Sequence, residues 1–202
     1  LSLVAGGDAV PAIAKWLQDS DVREEAAFCL ERIPAGAAVK ALAGSYKDAA
    51  EDFKPRILAA LGHRKAEEAL PLVAEAMRSA NKEIAMAAMK AFGRIGKKPA
   101  AAPRYPAVAG LSEWQKIEHT DSLLRYADAQ VKQGNLAEAM GIYKTALERA
   151  EEHWQCAAII GIAKIGTPDA AAAIFPKLKS TNRTVRLTAA NVWKGMVTEP
   201  RP

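Results

Sequence analysis

Three segments of the chain, VREEAAFCLERI, FKPRILAALGHR and IAMAAMKAFGRI, start at Val22, Phe53 and Ile84, 31 residues apart each time. Leu30, Leu61 and Phe92 stand eight residues after these anchors, Ala26, Ile57 and Ala88 four after, and Ala27, Leu58 and Met89 five after. Such offsets lie along one face of an α-helix. Two later segments, WQCAAIIGIAKI from Trp154 and VRLTAANVWKGM from Val185, fit the same frame and are again 31 apart. Five copies of one period constrain the chain to a solenoid, because a repeat of this length buries its apolar stripe only by stacking on a neighbour.

Each copy also carries an upstream helix in register. Val39, Leu70, Met140 and Ala171 precede their anchors by fourteen residues, and Leu42, Val73, Tyr143 and Ile174 by eleven. Tyr46, Met77, Leu147 and Leu178 precede them by seven, so the steps of three and four repeat. In the first copy the short turn QDSD puts Trp16 or Leu17 in the last of these places. Half the chain is apolar yet only 6% is aromatic, and much of the remainder is alanine, the best helix former. With no Val-Ile-Thr runs to argue for strands, the expected class is all-α.

From Ile84 to Trp154 is 70 residues, 39 more than one period. The excess begins in KKPAAAPRYPAVAG, whose Pro99, Pro103 and Pro106 exclude a regular helix. Ser112 and Gln115 then form a capping box, and Leu123, Leu124, Ala127 and Val131 make the stripe of an added helix. The expected organisation is one α-solenoid domain over 1–202. Repeats one to three span 1–96, a Pro-rich loop 97–110, an extra helix 111–133, repeats four and five 134–197, and a tail 198–202.

The residues that carry a family resemblance are Val22-Arg23 and Val185-Arg186, the Ala pairs 26–27 and 189–190, Leu61-Gly62, and the endings FGRIG (Phe92–Gly96) and IAKIG (Ile162–Gly166). On these the chain resembles the HEAT family, in particular the bacterial phycobilisome-lyase-like repeats. GNLAEAMGIYKTAL (Gly134–Leu147) resembles half of a tetratricopeptide repeat. The resemblance implies an armadillo-like, right-handed α-α superhelix of about five hairpins. CLERIPAGAAVKAL also resembles HEAT segments in large planctomycete-type bacterial proteins, which implies a scaffold region beside extracytoplasmic domains. Phycobilisome lyases attach or detach chromophores, but this repeat grammar is shared with many non-lyases, and no lyase activity is expected.

Catalysis needs convergent nucleophiles, bases or ligands, and the sequence offers none. There is no Gly-rich phosphate loop, no Gly-x-Ser-x-Gly and no paired-Cys motif. His63 ends a repeat and His119 lies in the added segment. His153 and Cys156 stand one turn apart without further ligands nearby, so a structural pairing is expected, with no metal and no cofactor. Cys29 and Cys156 are too few and too separated for a disulfide framework. No stretch is apolar enough to insert in a membrane, and LSLVAGG is too short and uncharged for a signal peptide. A chain opening on Leu1 is expected to be trimmed or part of something longer. A soluble chain is expected, periplasmic or cytoplasmic, with a monomer favoured.

The net charge of +5 is unevenly placed. An acidic start (Asp8, Asp19, Asp21, Glu24, Glu25, Glu31) contrasts with basic clusters at Arg94, Lys97, Lys98 and Arg104 and at Lys177, Lys179, Arg183, Arg186 and Lys194. Basic residues at helix C-termini oppose the macrodipole, which is the simpler reading. A nucleic-acid partner is the alternative. The HEAT resemblance implies that Arg23 and Arg186, after the anchor valines, bond an acidic or amide residue of an adjacent turn, here Asp19 and Asn182. Trp154, Trp193 and Trp16 are expected in the core, and Trp114 is expected to dock on a neighbouring repeat.

In a HEAT solenoid the second helices line the concave face. Positions two and six after each anchor then point outward: Glu24, Pro55, Met86, Cys156 and Leu187, and Phe28, Ala59, Lys90, Ile160 and Asn191. The expected partner-binding residues are Phe28, Arg56, Met86, Lys90, Ile160, Leu187 and Asn191. An exposed apolar stripe of this kind suits peptide or helix recognition. The expected function is a non-catalytic protein-interaction scaffold, with nucleic-acid binding or a structural spacer as alternatives.

Overall fold

A computed structural model describes residues 6–101 and 103–198. The expectations for LSLVA at the start and for 199–202 of the tail fall outside the described residues. Eleven α-helices and four short 3-10 turns make up the regular structure there, with no strand. No described helix is long and apolar enough to cross a membrane.

The helices pair as the spacing predicts. α1 (Val10–Lys15) pairs with α2 (Arg23–Arg32), α3 (Gly36–Ser45) with α4 (Lys54–His63), and α5 (Leu70–Ala76) with α6 (Lys82–Ile95). α7 (Glu113–Lys132) is the added helix. α8 (Leu136–Leu147) pairs with α9 (Glu152–Ile165), and α10 (Pro168–Ile174) with α11 (Arg183–Thr198). The architecture is an all-α solenoid. Two compact units divide the chain at Ser122/Leu123, inside α7.

Local chemistry sets the helix ends. Pro11, Pro55, Pro71 and Pro168 occupy first turns, where a missing N–H costs nothing. The Asn81 side chain accepts from Glu83 N at 3.0 Å, and Thr167 Oγ1 from Ala170 N at 3.3 Å. The Ser112 capping box forms in both directions, Gln115 N to Ser112 Oγ at 3.2 Å and Ser112 N to Gln115 Oε1 at 3.0 Å. Gly96 (φ 65°) and Gly166 (φ 70°) end α6 and α9 in the left-handed region, which explains the repeated Ile-Gly ending.

In the first unit, Leu30, Phe53, Ile57, Leu61 and Leu42 are fully or almost fully buried in one core. Gly62 brings α4 so close to α6 that a Cβ there would lie 2.7 Å from Ala91 Cα. Gly93, one period later, makes the same kind of approach to α7. A Cβ at Gly93 would lie 2.5 Å from Ser122 O. The first half of the added helix thus covers α6 at the position through which α4 is covered by α6.

Polar bonds also cross from repeat to repeat. Arg64, just past α4, donates to the carbonyls of Leu30 (2.9 Å), Glu31 (3.0 Å) and Ala35 (3.0 Å), and also to that of Ile33, closing the end of α2. Arg23 bonds Asp52 at 2.7 Å rather than Asp19, so its partner belongs to the next repeat. This contact holds the Asp52 carboxyl below the usual carboxylate range. Lys54, at the same place in the next repeat, pairs instead with Glu51 at 2.5 Å. Val22, although an anchor by spacing, is exposed at the N-cap of α2, whereas Phe53 at the N-cap of α4 is buried.

In the second unit, Tyr143, Ile159, Ile162, Ile174 and Val185 form a separate core with Trp154. Tyr126 donates to Glu138 at 2.7 Å and Tyr143 to Asp128 at 2.9 Å, joining α7 to α8 around the Gly134 turn (φ 80°). Gly161 faces the Tyr143 ring so closely that no Cβ fits there. Lys177 donates to Leu147 O at 3.1 Å, and Asn182 to Glu152 at 2.6 Å, thirty residues back. Arg186 donates to Ser180 O at 2.5 Å rather than to Asn182, whose side chain instead accepts from Val185 N at 3.1 Å.

The tryptophan expectations need correction. Leu17, not Trp16, is buried, and Trp16 is exposed. Trp193 is only half-buried, with its ring 5.6 Å from that of the exposed Phe175. Trp114 is 67% exposed and does not dock.

Candidate partner-binding site

The structure places the candidate residues in two groups, one on each unit. On the first unit, Phe28 projects from α2 and is 47% exposed, with the Arg32 guanidinium 5.3 Å from its ring centre. Arg56, on α4, is half-buried between two carboxylates, Glu31 at 2.8 Å and Glu24 at 3.6 Å. His63 Nδ1 lies 2.9 Å from the other Glu31 oxygen. Glu31 therefore receives both Arg56 and His63, and Arg56 is bound into the α2–α4 contact rather than held out for a partner. Sequence reasoning missed this cluster. Its signal is the placement of Glu31 nine residues after one anchor and His63 ten after the next. Lys90, on α6, pairs with Glu118 of α7 at 2.6 Å.

Met86 requires a correction. It is 6% exposed, buried where residues 104–111 run past α5 and α6. The Tyr105 and Phe92 rings meet edge to face with centres 6.0 Å apart, Lys82 Nζ donates to Gly110 O at 2.6 Å, and Leu111 is buried. Position two of this repeat is thus covered by the Pro-rich segment, and Met86 offers no exposed surface to a partner protein.

On the second unit, Ile160 of α9 is 47% exposed and Leu187 of α11 is 51% exposed. Asn191 is also exposed. α9 and α11 pack against each other, and Thr188 Oγ1 donates to Cys156 Sγ at 3.4 Å between them. Cys156 is consequently half-buried in a helix contact. His153 is exposed, its ring 4.4 Å from that of Trp154. In the basic end, Lys177 and Arg186 are spent on backbone carbonyls, while Lys179 and Arg183 are exposed.

No known protein-family profile matches the chain, and no curated protein matches its sequence. Among solved structures, the chain is similar to a designed armadillo repeat protein in complex with the peptide (KR)4, at TM-score 0.63 and 17% identity, over 93% of this chain and 99% of that one. A second designed armadillo repeat protein gives TM-score 0.60 and 18% identity, over 93% and 99%. An engineered protein gives 0.55 and 16%, over 94% and 96%. At such identities the likeness concerns the fold alone, and that fold is an all-α repeat solenoid similar to the armadillo repeats.

Proposed function

We propose that the chain is a non-catalytic protein-interaction scaffold of HEAT-like repeats, with α7 and α8 serving as a tetratricopeptide-like hairpin. The observation that carries the reading is the exposure of Ile160 and Leu187 on two packed second helices. Large aliphatic side chains half open to water on neighbouring helices offer an apolar surface against which a peptide or helix packs. Asn191 supplies a polar group on the same pair of helices for backbone recognition. Phe28 on the first unit is a second contact point. The designed armadillo neighbour bound to (KR)4 supports the reading, since a chain of this architecture holds a peptide there. Two of the basic residues invoked for nucleic acid are engaged by carbonyls, so charge does not favour that alternative.

The test is selection of a displayed random-peptide library on the purified chain, followed by calorimetric titration of the enriched peptides. Ile160→Asp and Leu187→Asp are expected to weaken binding by at least about tenfold, as removal of buried apolar anchors does, without lowering the melting temperature. Enriched peptides that bind both variants as tightly as the parent chain would overturn the reading. No enrichment at all would favour a structural spacer.

A further inference from the structure

The Pro-rich segment does more than bury Met86. Between residues 104–111 and the α5–α6 turn it borders a solvent-open cleft of about 430 Å³. This size lies within the range of small-molecule sites. Met77 and Met86, both buried, form its apolar floor, and Leu111 and Tyr105 line it from the segment side. The polar part of the lining is one-sided in charge. Arg78, Lys82 and Arg104 all line the cleft, and among the described residues no Asp or Glu lines it.

Little neutralises these cations. Arg104 makes no ion pair among the described residues, and Arg78 meets only Glu75, on its own exposed turn, at 3.7 Å. Lys82 gives one of its three protons to Gly110 O, leaving two for a ligand. Arg78 and Arg104 also line a smaller cavity of about 250 Å³ on the Leu70–Pro71 side, so two guanidiniums converge between two hollows. Arg78, Lys82 and Arg104 are each exposed at the rim of this hollow, where the summed field of three cations attracts an anion. α6 begins at Lys82, so the positive end of its dipole adds to the same field. Two guanidiniums and an ammonium match the oxygens of a carboxylate or phosphate, while the methionine floor suits a short hydrocarbon body.

We propose that this cleft is a binding site for a small organic anion, an oxyanion head group on an apolar body, distinct from the exposed faces of α9 and α11. The head group lies between Arg78, Arg104 and Lys82, and the body lies along Met77 and Met86.

The experiment is a titration of the intact chain followed by amide nuclear magnetic resonance, using hexanoate, hexyl phosphate, hexanol and inorganic phosphate as probes. Hexanoate or hexyl phosphate is expected to shift the amides of Ala85, Ala107 and Ala109 with a dissociation constant of about 1 mM or tighter. The tighter of the two identifies the head group. The double variant Arg78→Gln/Arg104→Gln is expected to weaken binding by at least about tenfold. Arg78→Lys/Arg104→Lys keeps the charge and is expected to restore part of it, and unchanged melting confirms that both variants fold. Hexanol binding as tightly as hexanoate, or inorganic phosphate binding as tightly as hexyl phosphate, would overturn the proposal. So would binding indifferent to the glutamine variant, or the absence of shifts at about ten times the expected dissociation constant.

Discussion

Replacing Gly62 by alanine sets two physical effects against each other with opposite signs. Gly62 lies in α4, and alanine in a helix is ordinarily favoured over glycine by about 1 kcal/mol. The packing opposes this. The new Cβ would sit 2.7 Å from Ala91 Cα and 3.0 Å from Ala91 Cβ, whereas carbons in contact rest about 3.5–4.0 Å apart. The nearest atom is backbone and cannot rotate away, so α4 and α6 must separate. Overpacking of this kind costs about 1–3 kcal/mol, and the helix gain offsets only part of it. The expected outcome is a net loss of up to about 2 kcal/mol in urea unfolding followed by circular dichroism. Gly141→Ala provides the control, because Gly141 is exposed in α8 and a Cβ there meets nothing within 4 Å. That variant is expected to gain stability. If Gly62→Ala gains as much stability as Gly141→Ala, the close approach of α4 to α6 is refuted.

Leu61→Ala removes a fully buried side chain from the first unit and is expected to cost about 2–5 kcal/mol in the same assay. Met86→Glu places a carboxylate where the chain is buried, so it is expected to lower the unfolding midpoint of the first unit rather than leave the fold intact. Burial, then its bond to the Asp128 carboxylate, pushes the Tyr143 hydroxyl far above its ordinary value. The folded chain therefore keeps Tyr143 protonated while unfolded tyrosine ionises near about pH 10, so this stabilisation is complete below that pH and falls away above it. Tyr143→Phe is expected to flatten the alkaline loss of stability, measured as urea midpoints between about pH 9 and 11. Part of the slope remains through Tyr46, which burial also raises.

The repeat frame was readable because burial recurs with the period. Leu30, Leu61 and Phe92 share one offset and are all fully buried. The glycine endings and the Ser112 capping box were readable because each needs a particular residue at a particular place. Contacts that depend on what lies across a repeat boundary were not. Arg23 has an acidic candidate four residues back in Asp19 and another in the next repeat, and only the packing selects Asp52. Met86 satisfies the rule for an outward position, but that rule assumes open space, and residues 104–111 fill it. Trp16 and Leu17 competed for one place, and the short 3-10 turn at Trp16–Gln18 turned the leucine inward.

The hairpin around Gly134 has a consequence for how the second unit is made. Tyr126 reaches Glu138 across 12 residues, and Tyr143 reaches Asp128 across 15. Loops that short close within about a microsecond, far faster than a ribosome adds residues. The two tyrosine bonds join α7 to α8 directly, so they can form first. α9 then covers them by seating Gly161 on the Tyr143 ring and adding Lys164 to Asp128 at 2.8 Å. Each later helix then adds to a surface already in place, and the entropy of closing long loops does not arise.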